Sequence, residues 1–106
     1  MKYYHGTSYS NLLKIINDGK IKKSIEGIVY LAKTKEDAFK FVALRYMTED
    51  IAVIELDLNE KNIEETFDHS PTFFKAKAYG YFGDISTDYV TNCWKYPVEE
   101  RYKKED

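Results

Sequence analysis

An α+β domain rich in antiparallel pairing is the fold class this sequence predicts, on three observations. Short β-branched and aromatic runs alternate with two stretches of helical period in the first half of the chain. The second half carries strand-like runs separated by turn residues, with no third helical pattern. At 106 residues the chain suits one hydrophobic core and leaves no room for two.

In order along the chain, Lys2-Tyr3-Tyr4 reads as a short opening strand that leads into His5-Gly6-Thr7. Ser10 is the expected N-cap of a helix over Asn11 to Asp18, where Leu12, Ile15 and Ile16 share a face and Leu13 widens it. Gly19 ends that helix, because glycine takes the left-handed conformation at no steric cost. Ile21 to Ile25, rich in lysine, reads as a loop. Gly27 to Ala32 is a compact β-branched and aromatic run, expected to be a buried strand.

Thr34 caps a second helix from about Lys35 to Met47, with Glu36 and Asp37 at the positive end of its dipole and Ala38, Phe41, Val42 and Arg45 at helical spacing. In Ile51 to Leu58, Ala52, Ile54, Leu56 and Leu58 alternate with Glu55 and Asp57, a half-buried strand pattern. Asn59 to Asn62 turns the chain, Ile63 to Phe67 forms a short strand or bend, and Pro71 interrupts the loop that follows. Phe73 to Phe82 reads as a strand closed by a turn at Gly83-Asp84, and Tyr89 to Val98 as a last strand ending near Pro97. Residues 1–98 form the expected domain. Glu99 to Asp106, highly charged and without an apolar face, is the expected frayed tail.

Composition removes several function classes. No stretch reaches the roughly 18 apolar residues of a membrane span, and the N-terminus lacks the apolar core of a secretory signal, so a cytoplasmic location is the default. A lone Cys93 permits no internal disulfide, and beside Trp94 it reads as buried filler. His5 and His69 have no metal-ligand spacing, so no metal is expected. The adjacent Asp68-His69-Ser70 cannot converge as a catalytic triad, which is assembled from distant positions. A formal net charge of -2 argues against a protein that coats nucleic acid. The 10 Tyr, 6 Phe and 1 Trp suit a small core first, and stacking or an interface second.

The residues best placed for chemistry are His5-Gly6-Thr7 and Tyr30. An imidazole can donate a hydrogen bond to a ribose hydroxyl, and a glycine lets a ligand approach the backbone. The glycine's N–H and C=O together match a planar carboxamide, and a tyrosine ring can cover such a group. These properties suit a nicotinamide riboside, and the chain has no glycine-rich phosphate loop or dinucleotide fingerprint. Each feature also has a structural reading: His5 bonded to nearby backbone, Tyr30 packed on a sheet, Thr7 and Ser8 capping local backbone, Arg45 and Lys20, Lys22 and Lys23 as solvated charges.

Tyr4-His5-Gly6-Thr7-Ser8, the helix with Asn11-Leu12 and Ile15 ending in Gly19, and Gly27-Ile28-Val29-Tyr30-Leu31-Ala32 resemble the ADP-ribosyltransferase superfamily, in its branch with a His-Tyr-Glu signature. That branch includes poly(ADP-ribose) polymerases, diphtheria-type toxins and RNA 2′-phosphotransferases. Thr34 to Val42 and Tyr81-Phe82-Gly83-Asp84-Ile85 extend the likeness, which covers most of the chain as an order of elements. The resemblance implies a split antiparallel β-sheet core holding NAD as substrate in a cleft. By resemblance, His5 bonds the ribose, Gly6 anchors the nicotinamide amide through its backbone, Thr7 joins the cofactor-binding set, and Tyr30 stacks on the ring. The family's glutamate should lie near the start of a late strand, but Lys77-Ala78-Tyr79-Gly80-Tyr81 holds no carboxylate. Asp84 is the nearest candidate for the third catalytic residue, with a turn cap as its alternative.

Three readings of function follow. One is transfer of ADP-ribose from NAD to a protein or nucleic acid acceptor. The second is a non-catalytic nucleotide- or partner-binding module on the same scaffold. The third is a small inhibitor or interaction protein with an exposed aromatic surface.

Overall fold

Two three-stranded antiparallel sheets meet at one bridge, between Tyr4 and Ala32, in the computed structural model of the chain. The structure describes residues 1–66 and 78–101. In chain order the elements are β1 (Lys2–Ser8), α1 (Tyr9–Asp18), β2 (Lys20–Ile21), β3 (Ile28–Leu31), α2 (Lys35–Ala43), β4 (Ile51–Asp57), β5 (Ile63–Thr66), β6 (Ala78–Phe82), β7 (Ile85–Ser86), β8 (Val90–Tyr96) and α3 (Val98–Arg101). The first sheet has the order β1-β4-β8 and the second β3-β6-β5, while β2 and β7 form a separate two-stranded ribbon. Every pair is antiparallel, so the chain is an α+β protein of the kind its pattern predicts.

The first sheet lies between the two longer helices. Ala52, Ile54 and Leu56 of β4 join Tyr3, Leu12, Ile15, Val29 and Leu31 in a core on the α1 side. Val53 turns the other way and is buried with Ala38 and Ala32 beneath α2. Strand alternation explains the division, since successive side chains leave opposite faces. β4 is therefore buried on both faces, whereas its alternating pattern alone predicted only one.

Local chemistry sets the helix ends. Ser8 Oγ accepts the N–H of Asn11 at 3.1 Å, and Thr34 Oγ1 accepts that of Asp37 at 3.1 Å. Gly19, at φ 75°, closes α1 with its N–H on the Ile15 carbonyl.

The structure corrects several expectations. The α1 cap is Ser8, not Ser10, because β1 continues through His5-Gly6-Thr7 to Ser8 and leaves the extended region immediately before the helix. His5-Gly6-Thr7 is thus inside the strand, not beyond its end. In α1 only Leu12 and Ile15 are buried; Leu13 and Ile16 face solvent because the sheet covers a narrow stripe of so short a helix. Ile21, expected in a loop, is buried and pairs with Ile85. Helix α2 stops at Ala43, short of Met47, where the N–H groups of Arg45 and Tyr46 both turn to the Val42 carbonyl. No glycine or proline announces that stop. Cys93 is exposed, not buried filler, because β8 is the outer strand of its sheet. Residues 98–101 form one helical turn where a frayed end was expected. The predicted strand over Phe73 to Phe82 is described only as Ala78–Phe82. Its earlier part, His69 and the end of the tail lie outside the described residues.

Candidate functional site

The two sheets touch at Tyr4 and Ala32 and part at the next residues. Tyr4 and Ala32 exchange both backbone hydrogen bonds, at 2.9 and 2.8 Å. One residue further along β1, the backbone ladder gives way to a side chain: His5 Nδ1–H donates to the Tyr30 carbonyl at 2.8 Å. The imidazole therefore occupies the opening of the split between β1 and β3.

Alternation along β1 fixes what Gly6 presents. Tyr4 directs its N–H and C=O toward β3, so Gly6, two residues on, directs its own the same way. Just beyond the two ends of β1, at odd positions, the Tyr9 N–H donates to the Asp50 carbonyl and the Met1 carbonyl accepts from Leu58 on β4's side, which is the complementary half of the same pattern. The main-chain donor and acceptor of Gly6 thus face the gap that opens where β3 diverges. Gly6 has a second role that the sequence reading missed. A Cβ here would come within 2.3 Å of the Ala38 carbonyl oxygen and 3.0 Å of Val42 Cγ2. Only glycine lets α2 settle onto β1 at this distance.

A cleft of about 530 Å³ lies at this opening, within the usual range for small-molecule sites. It is lined by His5, Gly6 and Thr7 of β1 and by Tyr30 of β3, so the structure brings these expected residues together. Thr7 is 3% exposed, and its Oγ1 accepts from Asn11 Nδ2 at 2.7 Å, which ties β1 to α1. The Tyr30 hydroxyl donates to Glu26 Oε1 at 3.0 Å.

Burial pushes the His5 imidazole below its ordinary pKa, and the Tyr30 carbonyl opposes that shift less strongly. At neutral pH the ring is uncharged. With Nδ1–H committed to Tyr30, Nε2 carries a lone pair and accepts hydrogen bonds. The expected polarity is therefore reversed: His5 accepts from a hydroxyl at Nε2 and does not donate to it.

Asp84 does not line the cleft. Its carboxylate accepts the backbone N–H of Lys23 at 2.8 Å and pairs with Lys20 at 3.5 Å. The Lys23 N–H, and then Lys20, hold its pKa below the usual carboxylate range. It ties the turn after β6 to the segment after β2. Glu55 is engaged by Tyr4 and Thr91, and Asp57 by the N-terminal amine, so neither carboxylate of β4 reaches the cleft.

Cations come to the cleft from separate parts of the chain. Lys40 of α2, Arg45 in the turn after it and Lys22 beyond β2 all line it. Lys22 also pairs with Asp18 at 3.6 Å. Among the described residues Glu26 is the one acidic side chain in the lining. Asn11 and Lys40 lie in segments that carry the resemblance but have no site role there, and Glu26 lies outside those segments as an ordinary loop residue. Among the described residues no group of three potential metal ligands assembles, and no helix is long and apolar enough to cross a membrane.

No family model matches the chain, and no curated protein matches it in sequence. In fold it is similar to the X-ray structure of protein CC0527 from Caulobacter crescentus, with a TM-score of 0.66 and 11% identity over 96% of this chain and 97% of that one. A double mutant of CC0527 has a TM-score of 0.64 and 12% identity, again covering 96% of this chain and 97% of the other. At these identities the likeness concerns fold alone.

Proposed function

We propose that this chain is an ADP-ribosyltransferase-like domain that binds NAD in the cleft between β1 and β3. The observation that carries the reading is the convergence of His5 and Tyr30 on one opening, with the backbone N–H and C=O of Gly6 turned toward the same gap. In this reading the carboxamide of nicotinamide meets Gly6, the ring lies against Tyr30, and a ribose hydroxyl donates to His5 Nε2. Lys40, Arg45 and Lys22 supply positive charge for the phosphates.

Transfer of ADP-ribose to a protein or nucleic acid requires more. As the nicotinamide–ribose bond breaks, positive charge develops on the ribose, and a carboxylate facing it lowers the barrier by several kcal/mol at comparable sites, about 3. Asp84 is tied to Lys20 and Lys23 and lies away from the cleft lining, which favours the second reading, a nucleotide-binding module with slow or no transfer. The third reading, a docking surface of aromatics, has less support. Tyr3 is buried, and Tyr4, Phe39, Phe41, Trp94 and Tyr96 pack around the core, leaving Phe82 and Tyr89 as the exposed large rings among the described residues.

Calorimetry with NAD tests the reading directly. Binding in the micromolar to millimolar range is expected, with loss of at least about tenfold in His5→Ala and in Tyr30→Ala, matching one charge-free hydrogen bond or one stacked ring. No heat at millimolar NAD rejects the nucleotide site. Release of nicotinamide during the same incubation separates the two readings: turnover lost in His5→Ala marks an enzyme, and stable binding without release marks a module.

A further inference from the structure

The cleft carries opposite charges on residues from different elements. Lys40 and Arg45 come from α2 and the turn after it, whereas Glu26 stands at the entry to β3, where its carboxylate accepts the Tyr30 hydroxyl at 3.0 Å. The anchoring matters, because a side chain at an exposed loop position otherwise samples many rotamers and contributes little electrostatically. Held by Tyr30, the carboxylate stays at the rim of the ring proposed to stack on nicotinamide. Lys22 also lines the cleft, but its ammonium has Asp18 as an ion-pair partner at 3.6 Å.

We infer that Glu26 is a specificity-determining residue that reads the charge of the ligand's ring, favouring a cationic pyridinium over the neutral, reduced ring of the same dinucleotide. The inference rests on the NAD-binding reading above. The two redox forms share the pyrophosphate, both riboses, the adenine and the carboxamide, so Gly6, His5, Lys40 and Arg45 treat them nearly alike. They differ by one positive charge on the ring and by its planarity. A fixed carboxylate several ångströms away, in partly solvated surroundings, distinguishes that charge by about threefold to tenfold in affinity. A role confined to positioning Tyr30 makes a different prediction. The amide oxygen of glutamine also accepts from the phenol, so a positioning role survives Glu26→Gln, whereas a charge-reading role does not.

The test compares NAD and NADH binding by calorimetry in the full chain, in Glu26→Gln and in Tyr30→Phe. The wild-type chain is expected to bind NAD about threefold to tenfold more tightly than NADH. Glu26→Gln should weaken NAD by that factor, leave NADH unchanged and bring the ratio to about one. Tyr30→Phe keeps the stacking ring but removes the hydroxyl anchor, and it should lower the ratio part of the way. A ratio that Glu26→Gln leaves unchanged, or equal weakening of both forms, overturns the inference while the nucleotide site stands. Absence of binding by either form in the wild-type chain overturns the nucleotide reading itself, and this inference with it. Far-ultraviolet circular dichroism of each variant checks that the fold is kept.

Discussion

Gly6 shows how one residue serves packing and ligand recognition together. Its missing Cβ lets α2 approach β1, and its backbone groups face the gap between the sheets. Gly6→Ala places a methyl group within 2.3 Å of a backbone oxygen in α2, which cannot rotate away as a side chain would. The expected cost is about 1–3 kcal/mol, as for other over-packed sites. Urea denaturation measures it, and stability equal to wild type would show that α2 shifts freely. His5 is the companion case. Its hydrogen bond to the Tyr30 carbonyl selects the tautomer, and burial keeps the ring neutral, so one structural contact determines which nitrogen remains for a ligand.

Elements are positioned by caps and by strand order more than by propensity. Ser8 is the last residue of β1 and the N-cap of α1, so it joins the strand carrying His5 to the helix whose Asn11 holds Thr7. Ser8→Ala should destabilise the protein by about 1 kcal/mol, whereas Ser10→Ala, which removes only a hydroxyl contact to Ser8, should cost well under half of that. Thermal denaturation of the two variants decides which serine caps the helix, and the reverse order would place the helix start later. The outer strand β8 shows a related economy. Alternation turns the N–H of Cys93 away from β4, and Asn92 Oδ1 accepts it at 2.8 Å, which blunts the exposed edge against pairing with another chain.

At the scale of the whole molecule, charge is distributed against the average. The chain is formally -2, yet three of the four charged side chains lining the cleft are cations. A phosphate-bearing ligand is thus attracted locally by a protein that repels polyanions in bulk. Replacing Lys40 and Arg45 together by glutamine should weaken NAD binding by about threefold to tenfold and flatten its dependence on ionic strength. Nicotinamide riboside, which has no phosphate, should bind both forms equally. Titrations from low to high salt check this, and wild-type NAD affinity that ignores salt would remove the phosphate role from these cations.

The sequence alone determined the class of the fold, the strand around Tyr30, the capping of α2 by Thr34 and the glycine end of α1, because each depends on residues that are neighbours in the chain. It also singled out His5, Gly6, Thr7 and Tyr30, which tertiary structure places on one cleft. Tertiary structure alone decided that Asp84 stays with Lys20 and Lys23, that Cys93 is exposed, and that Lys40, Arg45 and Glu26 share a lining. The physical reason is the range of the interactions. Caps, turns and side-chain periods are set within a few residues, whereas the cleft exists only where β1 and β3, paired at Tyr4 and Ala32, separate one residue later.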